Sequence, residues 1–402
     1  MIFYNIGVQA YALLVRIASL FNPKAKKWVE GRKSWSADLP NISNEEVAWF
    51  HAASLGEFEQ GRPIIEDYKR KHPNRFILLT FFSPSGYEVR KDYDGANYIC
   101  YLPLDTKKNA KKFIQHFQPK DIFFIKYEFW LNYIFEAKKQ GSKLYVISAL
   151  FRDSQRFFKW YGKNFRKALK QFDHFFVQNE KSANLLKNIN VTNYKITGDT
   201  RYDRVMDNAK KVEALPKIKN WLNGEKALII GSSWKADEEI LAPYINNNYS
   251  GKIILASHEV GEERTLEIIK TFQLKLERYT QIEGELDPKT QILIIDCIGI
   301  LANVYQYGKM AYVGGAFGTG LHNILEPSAF GLPVVFGPEH KKFPEAKIHI
   351  DKGIAFSVAT NYELQTSFEY INSNLETIKN TCLSFMQEST GAREIISKYL
   401  EN

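Results

Sequence analysis

The sequence predicts an α/β protein built from two doubly wound domains, and three observations carry that expectation. The chain has 402 residues, beyond the size at which a single hydrophobic core stops growing. Short β-rich runs alternate with helical periodicity along most of its length, the pattern of parallel sheets covered by helices. The alternation restarts once, after a polar, lysine-rich stretch at 207–224. The expected division is a first domain over 1–206, a linker over 207–224 and a second domain over 225–402, whose last helix is free to cross back.

In the first half the expected strands are Val47–Ser54, Phe76–Ser83, Tyr98–Leu104, Ile122–Tyr127, Lys143–Leu150 and His174–Gln178, with helical patterns such as Glu57–Arg70, Thr106–Phe117 and Leu131–Gln140 between them. In the second half they are Ala227–Ser232, Lys252–Ser257, Gln291–Asp296, Met310–Gly314 and Pro333–Phe336. Two such blocks imply domains facing each other across a cleft, with ligands at the carboxyl ends of the strands. No internal repeat or low-complexity segment interrupts them.

Composition narrows the function. Hydrophobic residues make up 45% and charged residues 25%, the balance of an ordinary globular protein. Lys and Arg number 54 against 45 Asp and Glu, a net charge of +9, which favours an anionic partner. The charges are scattered, with no Arg-rich tract or zinc-finger spacing, so no nucleic-acid partner is expected; an acidic membrane surface or a phosphorylated substrate fits better. Cys100, Cys297 and Cys382 are isolated, which argues against a disulfide framework and for buried thiols. No H-x-x-x-H pair, DxD-like cluster or Cys/His spacing suggests a metal.

Near the N-terminus, Ile6 to Phe21 is the most apolar stretch, but it holds Gln9 and Arg16 and falls short of the roughly 20 apolar residues of a spanning helix. A secretory signal carries its positive charge before the apolar run, whereas here Lys24, Lys26, Lys27, Arg32 and Lys33 follow it. That order suits a helix lying in the interface of an anionic leaflet. A helix packed on its own domain fits equally.

Four loops hold the candidate chemistry. His51-Ala52-Ala53-Ser54-Leu55-Gly56-Glu57 leaves a strand and opens a helix. Ser54 and Glu57 have the spacing of a capping box; alternatively Glu57 is a general base at the mouth of the cleft. Small residues at Ala52, Ala53 and Gly56 leave room for a substrate beside the backbone. Ser83-Pro84-Ser85-Gly86 follows the next strand, as a donor to sugar or phosphate oxygens or as a plain turn. Gly231-Ser232-Ser233, between a strand and a helical run, is a weak phosphate-binding arrangement without P-loop spacing. Gly314-Gly315-Ala316-Phe317-Gly318-Thr319-Gly320 has four glycines in seven residues and leads into a helix-like run ending near Gly331, with Glu326 placed to accept from ribose hydroxyls. His258 ends a strand, as a ligand contact or as a structural histidine.

Seven segments in register resemble the Kdo (3-deoxy-D-manno-octulosonic acid) transferases of lipopolysaccharide synthesis: HAASLGE (51–57), SPSGYE (83–88), YLPLD (101–105), YEFW (127–130), ITGDTRYD (196–203), YVGGAF (312–317) and HNILEP (322–327). The resemblance covers nearly the whole chain. It implies the GT-B architecture, two Rossmann-like domains with the donor, CMP-Kdo, held mainly by the C-terminal one. It implies that Glu57 is the catalytic base and that CMP contacts fall on Ser257 and His258, on Ile298, Gly299 and Ile300, and on Asn323, Ile324, Leu325 and Glu326. The expected acceptor is a lipid A precursor, lipid IVA, met at the cytoplasmic face of the inner membrane, and no metal or cofactor is expected. The chain departs from the family pattern where Arg-His-Pro-Glu reads Ser257-His258-Glu259-Val260, leaving Arg264 or Lys235 to replace the arginine. Glu-Leu-Trp-Pro-Asn likewise reads Glu128-Phe129-Trp130-Leu131-Asn132, Gly-Gly-His-Asn reads Gly320-Leu321-His322-Asn323, and a frequent Gly-Glu pair reads Gly299-Ile300. The alternatives are another GT-B transferase or an epimerase using a UDP-sugar, and an inactive peripheral membrane protein of the same fold.

Overall fold

The interior strands follow from their composition. Runs such as VAWFHA, FILLTF and DIFFI are apolar on both faces and become strands buried on both faces, as parallel strands under two helical layers must be. A computed structural model describes residues 1–37, 39–43 and 45–401. The first sheet contains β1 (Val47–Ala52), β2 (Phe76–Phe81), β3 (Tyr98–Tyr101), β4 (Asp121–Ile125), β5 (Lys143–Ala149), β6 (His174–Val177) and β7 (Tyr194–Ile196). The second contains β8 (Ala227–Ser233), β9 (Ile253–Ser257), β10 (Leu276–Arg278), β11 (Ile292–Ile294), β12 (Gly308–Val313), β13 (Val334–Phe336) and β14 (Ala355–Ser357). All pairings are parallel, in the orders β3-β2-β1-β4-β5-β6-β7 and β10-β11-β9-β8-β12-β13-β14. The order reverses between β1 and β4 and between β8 and β12, so these two gaps are the switch points where such sheets bind ligands.

The chain divides into one unit of Met1–Asp203 with Thr390–Asn402 and a second of Arg204–Ser389. The stretch 207–224, read as a linker, holds the helix Pro216–Leu222, whose Ile218, Trp221 and Leu222 are buried in the core of the second unit. The last helix, Ala392–Leu400, packs on the helix Leu55–Lys71 of the first unit. The two faces of β1 feed two cores: Val47 and Trp49 join one apolar cluster, Ala48, Phe50 and Ala52 the other.

The N-terminal helix Ile2–Ala18 uses one side for packing. The Tyr4 hydroxyl donates to Asp105 at 2.5 Å, Tyr11 packs edge-on to Trp28, and Ala12 is buried. Its other side leaves Ile2, Phe3, Ile6, Leu13, Leu14 and Ile17 exposed. The packed side answers to the reading of a helix docked on its own domain; the other side is apolar and exposed. Arg32, expected within an exposed basic cluster, is buried instead. Its guanidinium stacks 4.0 Å from the Trp28 ring and donates to the carbonyls of Leu102, Trp28 and Phe82 at 2.8, 3.0 and 2.6 Å. With no carboxylate among these partners, burial lowers its pKa to about 9. Among the described residues, no helix is long and apolar enough to cross a membrane.

Candidate functional sites

In the first unit the switch point is formed by the loops after β1 and β4. Leaving β1, the chain turns at Ser54 into the helix Leu55–Lys71, which places Glu57 in the first turn. The Glu57 side chain is 8% exposed. The capping box is only half made. Ser54 gives no side-chain bond to the helix backbone; its hydroxyl donates to the Glu57 carboxylate instead. That carboxylate also accepts from the Ser54 backbone N–H and bonds the Tyr127 side chain from the loop after β4. Burial raises its pKa, Lys126 opposes the rise and Glu128 adds to it. A carboxylate moved toward neutrality at a strand's carboxyl end has the proton affinity a general base needs.

The surrounding backbone is strained where the loops leave the sheet. Lys126 and Ser148, just past β4 and at the end of β5, have φ of +69° and +51°, a conformation that costs a side-chain-bearing residue about 1–3 kcal/mol. Tertiary bonds hold both: Lys126 N–H to the Ile147 carbonyl at 2.8 Å, and the Ser148 hydroxyl 2.9 Å from that of Thr200. A Cβ at Gly56 would meet only Ser54 Oγ, at 3.9 Å, so packing does not require this glycine and space remains above the loop.

Behind Glu57 runs a buried polar chain. Trp130 Nε1 donates to His51 Nε2 at 2.9 Å, which leaves His51 Nδ1 as donor to Thr80 Oγ1 at 2.8 Å. This explains the conjunction of HAASLGE and YEFW. Three other quoted motifs make bonds within the fold. Asp105 of YLPLD accepts from the Asn132 and Tyr133 N–H groups, both at 3.1 Å, capping the helix Leu131–Lys139 from elsewhere in the sequence; burial raises its pKa to about 6. In ITGDTRYD, Asp199 holds Gln60 and Arg201, while Asp203 accepts from the Gly391 N–H at 2.8 Å. Ser83 caps the helix Pro84–Arg90 and its hydroxyl lies 2.9 Å from that of Ser85.

In the second unit, the loops after β8, β9 and β12 converge on Trp234. His258 stacks on the Trp234 ring at 4.5 Å, and His322 stacks on His258 at 4.5 Å. Trp234 Nε1 donates to His322 Nε2 at 3.1 Å. Burial, with the adjacent His258, lowers the His322 pKa to about 4, so its ring is neutral with Nδ1 as the donor. Ser257 lies at the end of β9, its hydroxyl donating to the Glu259 carbonyl at 2.7 Å. Ile298 is 85% exposed beyond β11, Gly299 has φ +95°, and Ile300 starts the helix Leu301–Val304.

The glycine loop after β12 is rigid in its first half. A Cβ at Gly314 would lie 2.4 Å from the Ser232 carbonyl oxygen, and Gly320 N–H donates to the Gly315 carbonyl at 2.8 Å. Asp237 locks it further, accepting from Gly315 N–H, Trp234 N–H and the Tyr312 hydroxyl, each at 2.9 Å. Two backbone donors of the expected phosphate-binding arrangement are thus already engaged. The helix-like run expected to end near Gly331 is a single turn, Leu325–Ser328, after which the chain turns out of the helix at Gly331, whose φ is +75°. Asn323 Oδ1 accepts from Leu325 N–H at 3.1 Å, and its Nδ2 donates to Glu326 at 3.0 Å. Ile324 and Leu325 are buried beneath the turn. Burial raises the pKa of Glu326, while Asn323 and Arg204 favour its charged form.

The two candidates to replace the missing arginine differ. Arg264 donates to buried Glu238 at 2.5 Å and to Glu267 at 3.0 Å, whereas Lys235 is exposed at the first position of the helix Lys235–Asn248. Cys100 and Cys382 are thiols, their pKa values raised to about 12 by burial. Among the described residues, no group of three or more His, Cys, Asp and Glu side chains is placed to hold a metal. Sequence reasoning passed over Trp234, Asp237 and Arg204; the Asp237 position, in the first turn after a switch-point strand, was the available signal.

Comparison with known proteins matches residues 28–204 to the family described as 3-deoxy-D-manno-octulosonic-acid transferase (kdotransferase). A 3-deoxy-D-manno-octulosonic acid transferase of Aquifex aeolicus (strain VF5) is 29% identical over 363 residues, covering 88% of this chain and 91% of that one. Among solved structures, the UDP-GlcNAc 2-epimerase from Neisseria meningitidis superposes with a TM-score of 0.59 at 14% identity, covering 89% of this chain and 100% of that one. MurG of Acinetobacter baumannii does so with 0.58 at 12%, covering 89% and 99%. These likenesses carry the fold alone, and it is GT-B. The family match lies in the first unit, and the similarity to the Aquifex transferase runs through both units.

Proposed function

We propose that this protein transfers Kdo from CMP-Kdo to a lipid A precursor, with Glu57 as general base. The observation that carries the reading is the Glu57 carboxylate itself, nearly buried at the first sheet's switch point with its proton affinity raised, in a chain similar to these transferases. The acceptor's sugar hydroxyl attacks the anomeric carbon of Kdo as the bond to the CMP phosphate breaks. Glu57 takes the hydroxyl proton during the attack, a contribution of about 10²–10⁴-fold. The Tyr127 and Ser54 side chains orient the carboxylate, and Lys126 keeps a useful fraction of it ionised.

The donor's nucleotide is assigned to the second unit. Glu326 accepts from the ribose hydroxyls, beside Asn323 to Leu325 and the exposed segment Ile298–Ile300. His258 and Ser257 meet the phosphate or base, and Lys235 supplies the positive charge that a departing phosphate requires. The acceptor is anionic and amphiphilic, which fits the chain's positive balance and the exposed apolar side of the helix Ile2–Ala18; that helix supports peripheral association with the cytoplasmic face of the inner membrane. Mass spectrometry of the products from CMP-Kdo and lipid IVA tests the reading directly. Calorimetric titration with CMP and with UDP separates it from a UDP-sugar transferase or epimerase, and tighter binding of UDP overturns the donor assignment.

A further inference from the structure

Between residues 152 and 170 the chain carries seven Lys or Arg against one Asp. This single segment thus holds two thirds of the whole chain's net charge of +9. It contains the turn at 158–162 and the helix Lys163–Leu169. The turn is built. Arg166 points back into it, donating to the carbonyls of Phe157 and Lys159 at 3.0 and 2.6 Å and to that of Trp160 at 3.3 Å. A Cβ at Gly162 would lie 1.9 Å from the Arg156 carbonyl oxygen, so the chain closes tightly there. Beneath it, buried Phe157 packs edge-on to Phe151 and Phe165.

On this rigid base the turn projects Trp160, 91% exposed, and Tyr161, 57% exposed. Next to them lies an open groove of about 520 Å³ lined by Lys159, Lys163, Lys167 and Lys170. An exposed aromatic pair beside a row of lysines is the chemistry of a membrane interface: amphipathic rings sit at headgroup depth while ammonium groups meet lipid phosphates. The patch also borders the N-terminal helix, because Phe165 packs edge-on to Tyr4 at 6.0 Å.

We propose that the Trp160–Tyr161 turn and its lysine groove are a second docking surface for an anionic lipid leaflet, separate from the exposed apolar side of the N-terminal helix. Its choice of partner rests on the reading of the chain as a peripheral membrane protein. A soluble phosphate is a poorer fit: the groove is open, its lysines are solvated, and the guanidinium that would grip a small anion is occupied by backbone carbonyls. Two points of attachment fix the orientation of the first unit on the bilayer, which one helix alone leaves free to roll.

The test is flotation of the full chain with phosphatidylcholine vesicles, with and without phosphatidylglycerol, across a salt series. K163A/K167A/K170A should lower partitioning into the anionic vesicles by roughly a hundredfold, about fivefold per lysine, and flatten the salt dependence. W160A/Y161A should lower it by about tenfold or more at every salt concentration. These side chains are exposed, so melting curves should not move. L13S/I17S, on the N-terminal helix, should weaken partitioning independently of both. Wild-type flotation that survives the Trp160 and lysine variants unchanged overturns this proposal and leaves the membrane reading standing. Absence of wild-type flotation overturns both. Binding of inorganic phosphate or of an RNA oligonucleotide that falls with the lysine variants, while vesicle binding does not, assigns the groove to a soluble anion and overturns it as well.

Discussion

The two units place a carboxylate in the same position and use it differently. Glu57 and Asp237 each stand in the first turn of the helix that follows the strand at the switch point of their sheet. Asp237 is fully buried, with both oxygens bonded to donors that fasten the glycine loop to β8. Glu57 retains some exposure, and its neighbours Lys126, Tyr127 and Glu128 come from a loop held in a strained conformation. The sequence pattern suggests the opposite assignment. Ser54-x-x-Glu57 has capping-box spacing, yet the serine does not cap its helix; Trp234-x-x-Asp237 lacks a serine, yet Asp237 bonds the Trp234 N–H. Both carboxylates bond the N–H of the residue that opens their helix; Asp237 spends its other bonds fastening the glycine loop, whereas Glu57 bonds the side chains of Ser54 and Tyr127.

The largest expected effect breaks this comparison at Glu57. E57Q should lower the rate of Kdo transfer by at least 10²–10⁴-fold while CMP binding stays within a few-fold, as read by product mass spectrometry and calorimetry. Activity close to wild type would make Glu57 another Asp237. Asp237 should behave in the converse way. D237A orphans two backbone N–H groups and a buried tyrosine hydroxyl at about 1–3 kcal/mol each, so the second unit should melt earlier and the loop before Asn323 should loosen. A D237A protein with unchanged melting temperature would mean that the glycine loop needs no such lock.

Glu326 sharpens the same distinction inside the second unit. If its carboxylate grips ribose hydroxyls, E326A should weaken CMP binding by about 1.5–3 kcal/mol, the range of charge-assisted hydrogen bonds. The truncation also removes the partner of Asn323 Nδ2, so a melting curve is needed beside the titration. An unchanged dissociation constant returns Glu326 to a structural role alongside Asp237.

Legibility followed burial and sequence distance. Central strands were readable because a strand covered on both faces is an unbroken apolar run, as in β1, β2 and β4. The strands missed, β7, β10 and β14, are three-residue sheet edges reading YKI, LER and AFS, too short to show any period. Glu57 was visible as a candidate because its loop follows a strand, but local spacing could not decide between cap and base. The Trp234–His258–His322 stack was invisible: its members come from three loops and meet only when β9, β8 and β12 lie side by side. Arg32 misled for the same reason, since a run of basic residues does not show which one turns inward onto Trp28 and three carbonyls. Asp105 was noticed only as part of a familiar motif, and its role as a cap on Leu131–Lys139 depends on a contact 27 residues away.

The smallest expected effect separates the two carboxylate roles through stability alone. Burial raises the Glu57 pKa in the folded protein, so the folded state holds that proton more tightly than the unfolded chain. Stability then falls as pH rises from the unfolded pKa through the folded one, and above both the ionised, desolvated carboxylate is a standing cost. Glutamine keeps the size and much of the hydrogen bonding without the charge. E57Q should therefore melt at or slightly above the wild-type temperature in neutral buffer, and the difference should vanish in acid, where wild-type Glu57 is protonated. A capping role predicts the reverse, a loss of about 1 kcal/mol that is largest where the carboxylate is charged and interacts best with the helix N-terminus. The rate of transfer should follow the same titration in the opposite sense, rising with pH as the base ionises, with a midpoint above that of an ordinary glutamate. Paired melting and rate profiles on the wild type thus read one proton twice, and a transfer rate that rises with pH while the E57Q stability difference also grows marks a residue held ionised at a cost to the fold.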